Sequence, residues 1–322
     1  MISPIVIRPY RGADEAALLE LWNQALTHDR IDAARFRTQV LLDANFDPAG
    51  LLLAEVEGQL AGFVLSIVRR TPLFLQGLEP DMAWITAFGV RPARQRQGIG
   101  RQLFDAALSR LAGLSRRRVS ISPYTPNYFT PGVDVDAYPA AVAFLQSSGW
   151  QVASQPISMR AELTGFQVPA EIQWLEARLA GQGIVVRPVQ AADLPELMPF
   201  VARHFGWDWF RFAQEALLQH FGPGSDEICF LVAARGPEIV GYCQQRRERF
   251  GPFGVDPAQR SLGIGRLLLF RCLDAMLAKG YHCAWFLWTG RNAARVYELA
   301  GFRQVRQFAI LQRDLAPAFD FE

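Results

Sequence analysis

The chain has 322 residues, 50% hydrophobic and only 20% charged, a composition that excludes disorder and supplies apolar side chains for two cores of ordinary size. Lys and Arg number 33 against 31 Asp and Glu, for a formal charge of +2. With the basic residues scattered and densest only at Arg116–Arg118 and Arg246–Arg249, a nucleic-acid partner is not expected.

The opening MISPIVIRPYRG lacks the long apolar core of a signal peptide, and no apolar run reaches the length of a membrane helix, so a soluble, cytoplasmic protein is expected. Ile5–Arg8 reads as a strand stopped at Pro9, after which Asp14 caps a helix carrying Leu18, Leu21, Trp22 and Leu26 on one face. LLLAEVEGQLAGFVL (Leu51–Leu65) is a two-strand meander turning at Gly58. FGVRPARQRQGIGRQLFDAALSRL then gives a strand end, a glycine turn at Gly98 and Gly100, and an amphipathic helix. The stretch PYTPNYFTPGVDVDAYP, from Pro123, is too rich in Pro, Gly and aromatics for strand or helix; it reads either as a loop that covers a substrate pocket or as a surface excursion. A short helix, Glu171–Leu179, follows Pro169 and precedes Gly181 and Gly183, in a linker spanning 166–183 between domains 1–165 and 184–322.

The second half repeats the first. Arg187-Pro188 and Asp193 repeat Arg8-Pro9 and Asp14, and Phe230–Gln244 repeats Leu51–Leu65 at the same offset, without a gap. The glycine turn recurs at Gly263 and Gly265 with a shorter offset, and the closing turn Gly149-Trp150 recurs at Gly301-Phe302 with one shorter still. The shrinking offset places two insertions in the first copy, around Thr71–Asp81 and around Pro123–Asp136. A repeat of this size is a duplicated domain, each copy ordered β-α-α-β-β-β-α-β-α-β: an α/β (α+β) fold with a mixed sheet flanked by helices. The four cysteines, Cys229, Cys243, Cys272 and Cys283, lie in apolar patterns without CxxC spacing and read as buried thiols, with no metal site expected.

Each glycine turn opens a helix, and a turn stripped of side chains lets phosphates reach the first-turn N–H groups and the positive end of the dipole. A pyrophosphate is the expected ligand. Neither GxxxxGK[ST] nor GxGxxG occurs here, so a nucleoside triphosphate or dinucleotide is not supported.

The segment Phe253, Gly254, Val255, Pro257, Arg260, Ser261, Leu262, Gly263, Ile264, Gly265, Arg266 resembles the acyl-CoA cradle of the GNAT superfamily of N-acyltransferases, [RQ]xxGx[GA] after a V-x-P strand end. Val90, Gln95, Gly98, Ile99 and Gly100 fill the same pattern in the first copy. The resemblance implies two tandem GNAT folds, each a mostly antiparallel twisted sheet, and acetyl-CoA as cosubstrate. NAARVYELAGF matches the family's closing motif at Asn292, Tyr297, Gly301 and Phe302, which implies cofactor contact at Asn292 and proton donation to the departing thiolate by Tyr297. Glu248, on the same strand seven residues before Val255, falls where members of the family place a carboxylate that deprotonates the amine through water, with a solvated ion pair to Arg246 or Arg249 as its alternative use; His204 and His282 are further candidate bases, or structural histidines. Trp207, Asp208 and Trp209 fall where the family lines its acceptor side, or they belong to the core.

In the first copy Ala140 and Leu145 replace Asn292 and Tyr297, so this module is expected to be catalytically degenerate unless Tyr124, Tyr128 or Tyr138 supplies the acid. The implied activity is transfer of an acetyl group from acetyl-CoA to a primary amine of a small molecule, by direct attack in a ternary complex, with the chemistry in the C-terminal domain 184–322, by a monomer or homodimer. The alternatives are a nonenzymatic acyl-CoA-binding sensor or scaffold and a protein or peptide N-acetyltransferase.

Overall fold

A computed structural model describes residues 4–223 and 225–315. The chain begins with β1 (Ile5–Pro9), α1 (Glu15–Ala25), α2 (Ala33–Phe36), β2 (Leu51–Val56), β3 (Gln59–Ile67) and β4 (Met82–Val90). It continues through α3 (Ile99–Gly113), β5 (Arg118–Ile121), β6 (Val133–Asp134), α4 (Pro139–Ser147), β7 (Gln151–Ser154) and β8 (Ile157–Glu162). Next come α5 (Ala170–Gly181), β9 (Ile184–Pro188), α6 (Leu194–Phe205), α7 (Trp207–His220), β10 (Ile228–Arg235) and β11 (Glu238–Arg246). The last elements are β12 (Arg249–Val255), α8 (Ile264–Ala278), β13 (Cys283–Thr289), α9 (Arg291–Glu298) and β14 (Arg303–Asp314).

Two compact units form, and only one is a continuous stretch: the second is Ile157–Arg306, while the first runs through Pro156 and resumes at Gln307. In the first unit the strand order is β1-β2-β3-β4-β5-β14, antiparallel except for the parallel pair β4–β5, with β6 and β7 also on β14. In the second it is β9-β10-β11-β12-β13-β8, again with one parallel pair, β12–β13. The strand beside β5 is therefore the last of the chain, and the strand beside β13 is the one that follows β7. β8 alternates Ile157, Met159 and Ala161 with polar residues and β14 carries the continuous apolar run Phe308–Leu311, and either can serve as a closing strand.

Each sheet buries both faces. On α3, Leu103, Phe104, Ala107 and Leu111 recur at helical spacing and pack on Ala54, Val64, Ile85 and Val119, while Leu18, Leu21 and Trp22 of α1 cover Leu53, Phe63 and Leu65 on the other face. Close approach of α3 requires Gly62, where an added Cβ would come within 2.9 Å of Leu103 and 3.0 Å of Ile99. In the second unit α8 buries Leu268, Cys272 and Met276 against Leu231, Ala233 and Cys243, and α6 and α7 pack on Phe230, Val232 and Tyr242. All four cysteines are buried free thiols. At the entry of each unit an Arg at the strand end grips the Asp that opens the first helix by two hydrogen bonds of 2.7 and 2.8 Å, Arg8 with Asp14 and Arg187 with Asp193.

Two readings from sequence change here. The segment assigned to a linker carries α5 as a packed helix of the second unit, with Ile172 and Leu179 fully buried. The Pro-rich insertion is not free of strand: Val133–Asp134 pairs with Phe308 and Ala309, because Gly132 has no Cβ to meet the Ala309 carbonyl oxygen, which lies 2.3 Å from where one would stand. Among the described residues no helix is long and apolar enough to cross a membrane, and no group of three or more His, Cys, Asp or Glu could hold a metal ion.

Candidate active site

Parallel pairing of β4 with β5 runs only from Met82 to Ile85 opposite Arg118 to Ile121, with Ser122 N–H donating to the Ile85 carbonyl at 3.1 Å as the last link. β4 goes on to Val90, so the two strands open a wedge that widens into a cavity of about 850 Å³. Val90, Gln95, Gly98, Ile99 and Gly100 line it together. Gly98 caps α3 with φ +83°, and nothing stands within 4 Å of a Cβ built there. A Cβ built on Gly100 would stand 3.7 Å from Val90 Cγ2 and 3.9 Å from Phe144 Cζ. The turn that opens α3 is thus clear of side chains at Gly98, and Arg94, Arg96 and Arg101 also line the cavity, which together suit an anion.

Trp22, stacked on Phe63 and edge-on to Phe129 at centroid distances of 4.8 Å, forms an aromatic wall of the cavity. Thr86, Ser122, Thr130, Asp134 and Tyr138 add polar groups. The insertion supplies Phe129 to Tyr138 and is anchored at its start: Asn45 donates to the Tyr124 hydroxyl at 2.7 Å, which donates to Asp43 at 3.1 Å, and Asn127 donates to Asp43 at 2.7 Å. Burial pushes the Tyr124 phenol up, and its hydroxyl is engaged in both of these bonds, which tie the loop to Asn45 and Asp43. Tyr138 is the N-cap of α4, its hydroxyl accepting from His28 N–H at 3.1 Å across the cavity wall.

The second cradle is built alike and covered. Gly263 caps α8 with φ +92°, and a Cβ built on Gly265 would stand 3.5 Å from side-chain atoms of Phe253 and Val255, but a Cβ on Gly263 would meet Leu175 Cδ1 at 2.9 Å. Helix α5 lies over the turn: Arg178 donates to the Leu262 carbonyl at 2.9 Å, Glu171 pairs with Arg266, and Glu176 pairs with Arg271. Arg260 and Ser261 stay exposed, Leu262 is half-buried and Ile264 is buried in the core. In front of β12, Gly254 faces the Phe205 ring, 2.4 Å from a built Cβ.

Tyr297 sits on α9 in an aromatic box of Phe286, Phe253, Phe302 and Phe250, at centroid distances of 4.4, 5.5, 5.6 and 6.0 Å. Desolvation pushes its phenol up. Asn292 is exposed in the first turn of the same helix. Glu248 is not on β12 as read from sequence. It lies in the tight turn between β11 and β12, after Arg247 at φ +52°, at the strand end away from Gly263, in a shallow pocket with Arg246, Arg249, Tyr281 and Trp285. Trp207, Asp208 and Trp209 form the first turn of α7. Trp209 stacks on Phe205 at 5.1 Å, Trp207 is edge-on to Phe210 at 5.4 Å, and Asp208 pairs with Arg211 at 3.0 Å while burial raises its carboxyl. His204 packs on Phe200 at 5.0 Å, and the His282 carbonyl accepts from Leu163.

Residues 16–129 match the acetyltransferase (GNAT) family and residues 208–310 the acetyltransferase (GNAT) domain, together more than half of the chain. The chain belongs to the GNAT acetyltransferase family. This GNAT protein carries the domain in tandem and is an acyl-CoA-dependent N-acetyltransferase. It is 24% identical over 271 residues to the mycothiol acetyltransferase of Clavibacter michiganensis subsp. michiganensis (strain NCPPB 382), across 82% of this chain and 79% of the relative. Its fold is similar to a GCN5-related N-acetyltransferase from Sphaerobacter thermophilus, with TM-score 0.67, 17% identity and 98% of each chain covered. A tandem GNAT protein from the clavulanic acid biosynthesis pathway is similar over 98% of this chain and 100% of its own, with TM-score 0.63 and 15% identity. The glucosamine N-acetyltransferase region of a fungal multi-domain GH3 β-N-acetylglucosaminidase reaches TM-score 0.78 at 18% identity over 97% of this GNAT chain, which spans 38% of that larger protein.

Two residues escaped the motif reading. Leu175 signals nothing in a motif scan, because it reaches Gly263 from another helix, far away in sequence. Thr86 could have been found by aligning the copies on their glycine turns, since its counterpart in the second is Gly251.

Proposed function

We propose that this protein transfers an acetyl group from acetyl-CoA to a primary amine of a small molecule, by direct attack in a ternary complex, and that the first unit performs the transfer. The observation that carries this reading is the contrast between Gly98, with nothing within 4 Å of its Cβ position, and Gly263, with Leu175 at 2.9 Å. The pyrophosphate would meet the first-turn N–H groups of α3 beside Arg94, Arg96 and Arg101, with the pantetheine arm in the wedge along β4. A cavity of about 850 Å³ closed on one side by the insertion suits a small acceptor better than a polypeptide. The names of two relatives carry mycothiol and glucosamine, both small molecules, which agrees with this acceptor class.

As the amine nitrogen attacks the thioester carbon, the C–N bond forms, the C–S bond breaks, the amine sheds a proton and the coenzyme thiolate gains one. Leu145, fully buried on α4, has no proton to give. Tyr138, on the cavity wall at the start of the same helix, is the acid in this reading. Tyr297, Glu248 and the Trp207–Trp209 turn then serve the fold of the second unit.

Free-thiol release from acetyl-CoA, measured against amino sugars including glucosamine, amino acids, aminoglycosides, polyamines and peptides, tests the reaction, with Tyr138→Phe in parallel. Release with a small amine, lost in the variant, supports the reading; release with peptides alone, or a loss caused by Tyr297→Phe and not by Tyr138→Phe, overturns it.

A further inference from the structure

We infer that Thr86 is a catalytic residue of the first unit: its hydroxyl donates a hydrogen bond to the thioester carbonyl oxygen of the bound acyl-CoA, on the reading above that this unit holds the cosubstrate. Thr86 is the extra residue of a bulge in β4, where Leu65 pairs with Ala87 and Ser66 with Ile85. It follows Ile85, the last residue of β4 paired with β5, and so stands at the apex of the wedge. The residue is 7% exposed and lines the cavity, and its Oγ1 is buried without a hydrogen-bond partner. Buried hydroxyls are normally paired, so one left open at the closed end of a ligand cavity is a donor waiting for a bound group.

One cavity joins the cradle to Thr86: Gly98, Gly100, Val90 and Thr86 all line it. Between Val90 and Thr86 β4 covers about 13 Å, at roughly 3.3 Å per residue. With the phosphates on the first turn of α3 and the arm running along β4, the thioester lies toward the Thr86 end. The covered unit has Gly251 at the matching position, without a hydroxyl. When the amine nitrogen attacks, the carbonyl π pair moves to oxygen and the Thr86 O–H strengthens its bond to that oxygen without surrendering its proton. The pair then returns, the C–S bond breaks and the thiolate leaves.

The test needs no acceptor. Acetyl-CoA labelled at the thioester carbonyl is bound to the full chain and its C=O stretch is read by isotope-edited infrared spectroscopy, in wild type, Thr86→Val and Thr86→Ser, with affinity from calorimetry. The expected result is a carbonyl band below that of free acetyl-CoA in wild type and Thr86→Ser, returning toward the free value in Thr86→Val at unchanged affinity. With a turnover-competent amine, Thr86→Val is expected to lower kcat about 100-fold at unchanged KM for acetyl-CoA, the size of one lost oxyanion donor. A band that Thr86→Val leaves in place while acetyl-CoA stays bound, or an equal loss in Thr86→Ser, overturns the role of Thr86. Binding abolished by Gly263→Leu and spared by Gly98→Leu would instead overturn the choice of unit.

Discussion

Leu175 stands over Gly263, its Cδ1 and Cδ2 at 2.9 and 3.2 Å from where a Cβ of the glycine would be. The donors at the start of α8 are thereby turned toward the protein's own helix, which Arg178 ties to the Leu262 carbonyl at 2.9 Å. The same turn in the first unit, built on Gly98, is open. Duplication gave two cradles, and α5 leaves one of them accessible.

The two glycines should separate binding from stability. A side chain at either must take a positive φ, costing about 1–2 kcal/mol, and at Gly263 it must also displace Leu175. We expect Gly263→Leu to lower the melting temperature more than Gly98→Leu while keeping one acetyl-CoA per chain in calorimetry. Gly98→Leu should weaken acetyl-CoA binding at least tenfold, and an unchanged titration would show that the phosphates bind elsewhere.

The two tyrosines should separate in the opposite sense. Tyr297→Phe keeps the ring among Phe286, Phe253 and Phe302. It is expected to cost about 1 kcal/mol of stability through loss of the hydrogen bond between its hydroxyl and Thr289 and to leave thiol release within twofold of wild type. Tyr138→Phe should lower kcat by about 10²–10⁴, the usual yield of general acid catalysis, at a similar cost in stability, since its hydroxyl accepts from His28 N–H at 3.1 Å. Steady-state kinetics and urea melts on the two variants decide it.

Acid should weaken both units through the same device. Arg8 and Arg187 hold the carboxyls of Asp14 and Asp193 below the usual range, chiefly by direct hydrogen bonds. The unfolded chain binds those protons more readily, so the stability they lend is complete above about pH 4 and is lost as pH falls through the lower folded values. Asp193→Asn should cost about 1.5–3 kcal/mol at pH 7 and flatten the acid limb of a urea-unfolding series. Asp14→Asn should cost less, because Arg8 keeps Glu55 at 2.6 Å. Acid limbs unchanged in both variants would assign the pH dependence to other carboxylates.

A chain stopped after Arg306 should unfold the first unit selectively. Phe308 and Leu311 are fully buried there and Ile310 is 5% exposed. At about 1.5–3 kcal/mol for each fully buried large side chain, their removal takes a large part of a domain's net stability, about 5–15 kcal/mol. Hydrogen exchange should show protection lost in β2, β3 and β4 and kept in β10, β11 and α8. Protection kept throughout would mean that β14 is dispensable.

Much of the fold was legible because the repeat carries it. Gly98 and Gly263, Asp14 and Asp193, and the meanders at Leu51 and Phe230 mark equivalent places, and local periodicity defines the helices between them. The exchange of β8 and β14 was not legible, since Ile157–Glu162 and Arg303–Asp314 are equally good strands and nothing local says which sheet each joins. The choice between cradles was illegible for a related reason. Both satisfy one motif, and what distinguishes them is a leucine far off in sequence and an insertion whose Phe129 and Tyr138 form walls only after the loop is pinned to Asp43 and Asn45.

The route of the chain also sets the order in which the protein can be made. Gln307–Asp314, the strand beside β5, leaves the ribosome only after the whole of Ile157–Arg306. At about 5–20 residues per second, the first unit waits roughly 7–30 s with the place beside β5 unfilled. The unit completed first is therefore the one that begins second, and because the Pro156 carbonyl accepts from Phe308 N–H at 2.9 Å, excising Ile157–Arg306 as a block would leave the closing strand beside its place instead of removing it.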